Sequence, residues 1–260
     1  MIGSIVTANL KEQIDNDILN LKSGGKLESY FDSMAEFHGY SYGNVLLIKK
    51  RYPEAKFVST PETWQNQFGR QVKDKSIEIL ILVPDTIKKT ITKTKRDGKG
   101  NFILDENSRI VEARDELTIP YMKPLVVFDI SQTDGKAFDI DFVTHNSDVS
   151  SKLIFQSIAN EMKNMDRYEW EGLNNDSVKA AVMEAITHVT FRYYNLNEPV
   201  ESKLSNVEGW LYGKDISEIK RFLEIVQRKS YNTVEEINHK RGKRMNEMGG
   251  EKYAEHSLNI

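Results

Sequence analysis

The chain contains no cysteine. That excludes a disulfide scaffold, a thiolate nucleophile, an iron–sulfur cluster and any zinc site that uses sulfur. No apolar run approaches the roughly 18 residues a membrane-spanning helix needs. The first residues, MIGSIVTANLKEQIDND, lack the basic start and apolar stretch of a secretory leader, so a cytoplasmic protein is expected. Neither Gly-rich phosphate-binding pattern occurs, no Ser-His-Asp order stands out, and there is no internal repeat.

Enough apolar material is present for a core. Of 260 residues, 39% are hydrophobic and 29% charged, which suits one large domain or two small ones. The net charge of −3 conceals an asymmetry. Residues 42–104 carry 13 Lys+Arg against 6 Asp+Glu, a local +7, so the rest carries −10. Such a basic middle is either the footprint of a polyanion or a solvated lysine-rich surface.

Ile5, Leu10, Ile14, Ile18, Leu19 and Leu21 recur at helical spacing and predict a helix over 5–22, stopped at Ser23-Gly24-Gly25. A second is expected over 26–37 and a third from Asn44 to Arg51, ending before Pro53. Thr60-Pro61-Glu62 has the cap, proline and acid of a helix start. The pattern then changes. Ile77–Val83, closed by Pro84, reads as a buried strand, and Thr86–Thr94, with interleaved lysines, as an exposed edge strand. Leu125–Ile130 is the last clear strand. Helices follow over Ser150–Lys163, Asp176–Tyr194, Ile216–Val226 and Thr233–Ile237, with a frayed tail from His239. The expected class is α+β: N-terminal helices packed on a small, mostly antiparallel sheet, then a mainly helical region. The expected limits are 1–145, 146–240 and a flexible tail at 241–260.

The one catalytic-looking string is Met183-Glu184-Ala185-Ile186-Thr187-His188. A zinc-protease helix needs His-Glu-x-x-His, with two histidines on one face and the glutamate activating water. Here Met183 takes the first position, and a thioether is a poor zinc ligand. Glu184 and His188 read better as ordinary helix residues, and no catalytic residue, metal or cofactor is expected. The basic segment says more. Lys49, Lys50 and Arg51 end one helix; Arg70, Lys73 and Lys75 precede the first strand; Lys88, Lys93 and Lys95 decorate the hairpin. Aromatics such as Tyr42, Tyr52 and Trp64 lie among them. Cations that track a backbone, with aromatic faces for unstacked bases, are what single-stranded nucleic acid requires. Trp64 also faces Phe68 at i,i+4, which suits a core residue.

Tyr40-Ser41-Tyr42-Gly43-Asn44-Val45-Leu46-Leu47-Ile48 is followed by Tyr52-Pro53-Glu54-Ala55, Thr63-Trp64, Phe68-Gly69-Arg70-Gln71-Val72-Lys73 and Ile79-Leu80-Ile81-Leu82-Val83-Pro84. Further on stands Val127-Phe128-Asp129-Ile130-Ser131-Gln132-Thr133-Asp134-Gly135. This series, over residues 26–136, resembles the N-terminal domain of the ArdC antirestriction family and the related LtrC-like proteins. The resemblance implies single-stranded DNA binding and carriage by plasmids, conjugative elements or phages. Two departures stand out. In the family Lys-Gly-Glu follows Val-Lys, whereas here Val72-Lys73 runs into Asp74-Lys75-Ser76, without the glycine. The family's zincin-like C-terminal part carries His-Glu-x-x-His, whereas Val178–His188 resembles either that helix with its first histidine lost or the family's later acidic helix.

The expected function is therefore a non-enzymatic single-stranded DNA-binding protein of a mobile element, acting in antirestriction. Arg70, Lys73 and Lys75 would contact phosphates. Lys49, Lys50 and Arg51 would extend the track, and Lys88, Lys93 and Lys95 would flank it. Tyr42 and Trp64 would stack on bases. Asn44 and Gln132 would bond bases or backbone, or else cap the fold internally. The partners expected are single-stranded DNA and a host- or element-encoded protein, with no membrane. The alternatives are an inhibitor that docks on a host defence nuclease and a residual metal-dependent hydrolase.

Overall fold

The computed structural model describes residues 2–22, 26–137, 149–165, 176–197 and 204–247. The expected boundary at 145 and the tail beyond 247 lie outside them. Three helices open the chain: α1 (Ile2–Asn20), α2 (Lys26–Glu36) and α3 (Tyr42–Arg51). Ser41 caps α3, its hydroxyl accepting the Asn44 N–H. A short strand β1 (Val58–Ser59) precedes α4 (Pro61–Asn66), which starts with Thr60 as cap and Pro61 in the first turn. Then come β2 (Arg70–Val72), β3 (Ile79–Thr94), β4 (Glu112–Asp129), a 3-10 turn (Ile130–Gln132) and β5 (Thr133–Gly135). The remaining described helices are α5 (Ser151–Lys163), α6 (Asp176–Tyr193), α7 (Ser205–Leu211) and α8 (Ile216–Glu247). This is the α+β architecture expected, with antiparallel strands in the order β1-β4-β3 and a separate β2-β5 pair.

Two expectations about elements change. The two strands divided at Pro84 are one, and β3 pairs with β4 from Ile79↔Val127 to Thr94↔Glu112. The reason lies on the strand edge. Asn44 holds the Leu82 backbone from the open side of β3: Nδ2 donates to the Leu82 carbonyl (2.9 Å) and Oδ1 accepts the Leu82 N–H (2.9 Å). Backbone groups alternate in direction along a strand, so Pro84, two residues on, also turns its nitrogen away from β4. Its missing N–H costs the ladder nothing. Pro124 faces Leu82 and Pro120 faces Thr86, both at the same outward-facing phase of β4. Sixteen paired residues make a ribbon about 50 Å long at ~3.3 Å per residue, and its outer half stands in solvent.

The second change is α8. The helices read over 216–226 and 233–237 are one helix, which runs on through the expected tail to Glu247. No glycine or proline interrupts residues 227–232. The polar stretch there has a buried side: Lys229 pairs with Glu161 of α5 (3.4 Å), and Ser230 and Thr233 lie inside. One apolar core joins Ile14, Phe31, Leu47, Ile79 and Val127 of the first half to Ile158, Ala185, Val207, Phe222 and Val234 of the second. Contact between the halves runs mainly through α2 on α6.

Candidate nucleic-acid interface

The site is assembled around the 3-10 turn. Asp129 caps it: Oδ1 accepts the Ser131 N–H (2.9 Å) and hydroxyl (2.7 Å), and Oδ2 accepts the backbone N–H groups of Lys56 (2.7 Å) and Phe57 (3.0 Å). Gln132 closes a capping box, with Oε1 accepting the Asp129 N–H (3.1 Å) and Nε2 donating to the Ile77 carbonyl (3.0 Å). The Thr133 hydroxyl donates to the Ile130 carbonyl (2.8 Å) and accepts from Arg70 Nε (2.7 Å). Arg70 donates again from Nη2 to the Thr133 carbonyl (2.8 Å) and from Nη1 to the Lys136 carbonyl. Gly135 holds φ +143°, and a Cβ there would lie 2.5 Å from the Gly69 carbonyl oxygen, so only glycine lets β5 lie against β2. The segments 69–73 and 127–135, widely separated in sequence, thus form one rigid device.

Its surface is cationic. Lys73 is exposed, with Nζ donating to the Ser131 carbonyl (2.9 Å) and 3.4 Å from Asp134. Lys75 stands exposed on the following turn at φ +61°. The chain therefore reaches left-handed backbone there without a glycine, at a cost of about 1–2 kcal/mol. The Lys136 side chain lies along Gly69. Arg70, Lys73, Lys75 and Lys136 face only Asp74 and Asp134 among the adjoining residues of this ribbon. Tyr52 joins the face, its hydroxyl sharing a hydrogen bond with Ser131 (3.1 Å), and Arg51 Nε donates to the Glu78 carbonyl (3.0 Å) beside it. Sequence reasoning did not single out Lys56, Ser131 or Lys136; the signal was the run Asp129-Ile130-Ser131-Gln132, whose first and last residues have the types a capping box demands.

The other expected residues lie elsewhere. Lys49 pairs with Glu36 (2.6 Å) and donates to the Ala55 carbonyl (2.7 Å), while Lys50 pairs with Asp17 (2.7 Å). Both look towards α1 and α2 rather than β2. Lys88 meets Glu116 (3.5 Å) and Lys93 meets Asp115 (2.5 Å) across the long ribbon, and Lys95 is near its tip. These cations do not converge with Arg70 and Lys73 on one groove. Trp64 is fully buried; its Nε1 donates to the Phe128 carbonyl (2.9 Å), and Phe57 and Phe68 enclose the ring. It offers no face to a base. Tyr42 is half-buried; burial first, then the carboxylates of Glu224 and Asp15, raise its phenol above the ordinary range. Those surroundings are acidic, which does not suit a phosphate. Asn44 and Gln132 are spent on backbone, the internal-cap reading of both.

Glu184 and His188 also serve the fold. His-Glu-x-x-His counts four from first to second histidine, and Met183 to His188 counts five, so Thr187 holds the second ligand position; its hydroxyl donates to the Met183 carbonyl (2.8 Å). Leu204, at the start of α7, has no side-chain oxygen to cap it. Glu184 Oε2 supplies one across space, accepting the N–H groups of Asn206 (2.9 Å) and Val207 (3.1 Å). His188 Nε2 lies 2.8 Å from Asp32 Oδ1 of α2, and Arg192 holds the same carboxylate through Nε (2.8 Å) and Nη2 (3.1 Å). Burial pushes the Asp32 carboxyl up, but hydrogen bonds and charge from His188 and Arg192 outweigh it and hold it below the usual range. The two side chains are thus committed to different helices and do not fit a shared zinc ion. Among the described residues no three His, Asp or Glu side chains gather as a metal site, and no helix is long and apolar enough to cross a membrane.

Fold and face together define an α+β protein whose small β2–β5 ribbon presents cations on a rigid internal cap. No protein-family model matches the chain, and no curated protein matches it. Among solved structures it is similar to the antirestriction ArdC protein from plasmid R388, in its metal-free crystal structure, with 13% identity and a TM-score of 0.38 over 82% of this chain and 87% of that one.

Proposed function

We propose that the protein binds single-stranded DNA on the β2–β5 face, without catalysis, as an antirestriction protein of a mobile genetic element. The observation that carries the binding is the cluster of Arg70, Lys73, Lys75 and Lys136, with Tyr52 beside it, on a device locked by Asp129, Gln132 and Thr133. Cations held by a stiff scaffold lose little side-chain freedom when a phosphate arrives. The antirestriction role rests on the family resemblance of the sequence motifs. The non-catalytic reading is supported by Glu184 and His188, each engaged in packing.

The test is a salt titration of a labelled single strand against the full chain. Each phosphate contact contributes about −0.7 to the slope of log affinity on log salt, so four cations give about −3. Lys73→Ala with Lys75→Ala flattens the slope by about 1.4. Lys88→Ala with Lys93→Ala leaves it unchanged. Absence of binding at low salt, or a slope untouched by the first pair, overturns the reading.

A further inference from the structure

The outer half of the β3–β4 ribbon leaves apolar side chains in solvent. Ile87 is 56% exposed, Leu117 47%, Tyr121 44% and Ile119 36%. They share one face, because the register sets Asp85 opposite Tyr121, Ile87 opposite Ile119 and Lys89 opposite Leu117. Val83 opposite Lys123 and Ile91 opposite Asp115 bound that face on either side. Its charges do not suit a polyanion. Lys123 pairs with Asp85 (2.8 Å) and Lys93 with Asp115 (2.5 Å), so a phosphate would meet carboxylates as often as cations.

The face is complementary to itself. Take the Ile87–Ile119 pair as a centre and turn a second copy end over end about the line across the two strands. Each strand then lies over its own copy, reversed. Ile87 and Ile119 meet themselves, Asp85 meets Lys89, and Lys123 meets Asp115. Tyr121 meets Leu117, and Val83 meets Ile91. Every cation on these five levels finds a carboxylate, and every apolar side chain finds another. A centre moved one level inward sets Asp85 on Asp85; one level outward sets Lys89 on Lys89. Like charges therefore reject the neighbouring registers.

We propose that the ribbon is a dimerisation arm whose partner is a second copy of this chain. The two faces pack over residues 83–91 and 115–123, a contact about 26 Å long at ~3.3 Å per residue, with sheets about 10 Å apart. The interface is isologous and closes on two copies. It does not depend on the DNA-binding reading.

Sedimentation equilibrium of the full chain tests it. The mass rises with concentration from the 30.0 kDa of one chain towards twice that value. Asp85→Lys and Lys89→Asp each weaken association by about tenfold or more. An equimolar mixture of the two recovers it, because each mixed contact again sets cation against carboxylate. Ile87→Cys, which gives the chain its only cysteine, is captured as a dimer by a short bis-maleimide; Ile5→Cys, exposed on α1, is not. A chain that stays monomeric at every concentration overturns the proposal. So do charge variants that associate like the parent, or a mixture that fails to recover.

Discussion

Asn44 is the sharpest place to test the reasoning, because its residue type suits two incompatible jobs. Its amide makes both of its described bonds to Leu82, and the residue is only 6% exposed. Asn44→Ala removes a donor and an acceptor at once. The Leu82 N–H and carbonyl are left on the inner, covered part of the β3 edge, and each orphaned group costs about 1–3 kcal/mol. Partial access of water to an edge strand lowers the sum, giving an expected loss of about 2–4 kcal/mol. Urea denaturation reads this as a lower midpoint at unchanged slope, since the surface exposed on unfolding is the same. Below the transition, affinity for single strands stays at the parent's value. Asn44→Asp accepts the Leu82 N–H but has no donor for the carbonyl, so it also destabilises at neutral pH. A variant that melts like the parent but has lost the oligonucleotide would falsify the internal-clamp assignment.

Three further outcomes are expected. His38 stands between the rings of Tyr193 and Tyr231, and burial lowers its imidazole to about 4 from an ordinary 6.5. The folded state then binds fewer protons than the unfolded chain between those values. Its contribution is intact above pH 6.5 and lost as pH falls to 4, by about 2–3 kcal/mol after allowance for residual exposure. His38→Phe removes that part of the pH dependence, read as a smaller drop in urea midpoint between pH 7 and pH 4.5. Glu184→Ala strips the cap from α7 and leaves the Asn206 and Val207 N–H groups without that acceptor, the second of them buried, costing about 1–3 kcal/mol by thermal denaturation, whereas an exposed variant such as Glu12→Ala stays within about 0.5. Lys75→Gly relieves a left-handed backbone and raises stability by about 1 kcal/mol while lowering the salt slope of DNA binding by about 0.7, so the two readouts move in opposite senses.

Elements with local signals were legible: the caps of α3 and α4, the apolar spacing of α2, and the passage from helices to strands in the middle of the chain. What was illegible depended on direction. Pro84 read as a strand end, yet it shares one phase of the ribbon with Pro120 and Pro124, and all three turn their nitrogens outward, so the pairing runs through them. Asn44, Trp64 and Gln132 have side chains that suit a bound base, but only tertiary structure shows that their polar atoms are already taken by backbone. The charge count failed for a related reason. The excess of +7 belongs to a window that ends at residue 104, while Asp115 and Glu116, which pair with Lys93 and Lys88 of its hairpin, enter from β4. Antiparallel pairing lays a later segment beside an earlier one, so a stretch that is basic in sequence is partly offset in space. The cations after Gly69 meet fewer carboxylates, because the facing strand β5 is short and contributes Asp134 alone, 3.4 Å from Lys73. Functional charge on this molecule is therefore decided by strand register rather than by composition, and the same register that cancels Lys93 writes the self-complementary face of the ribbon.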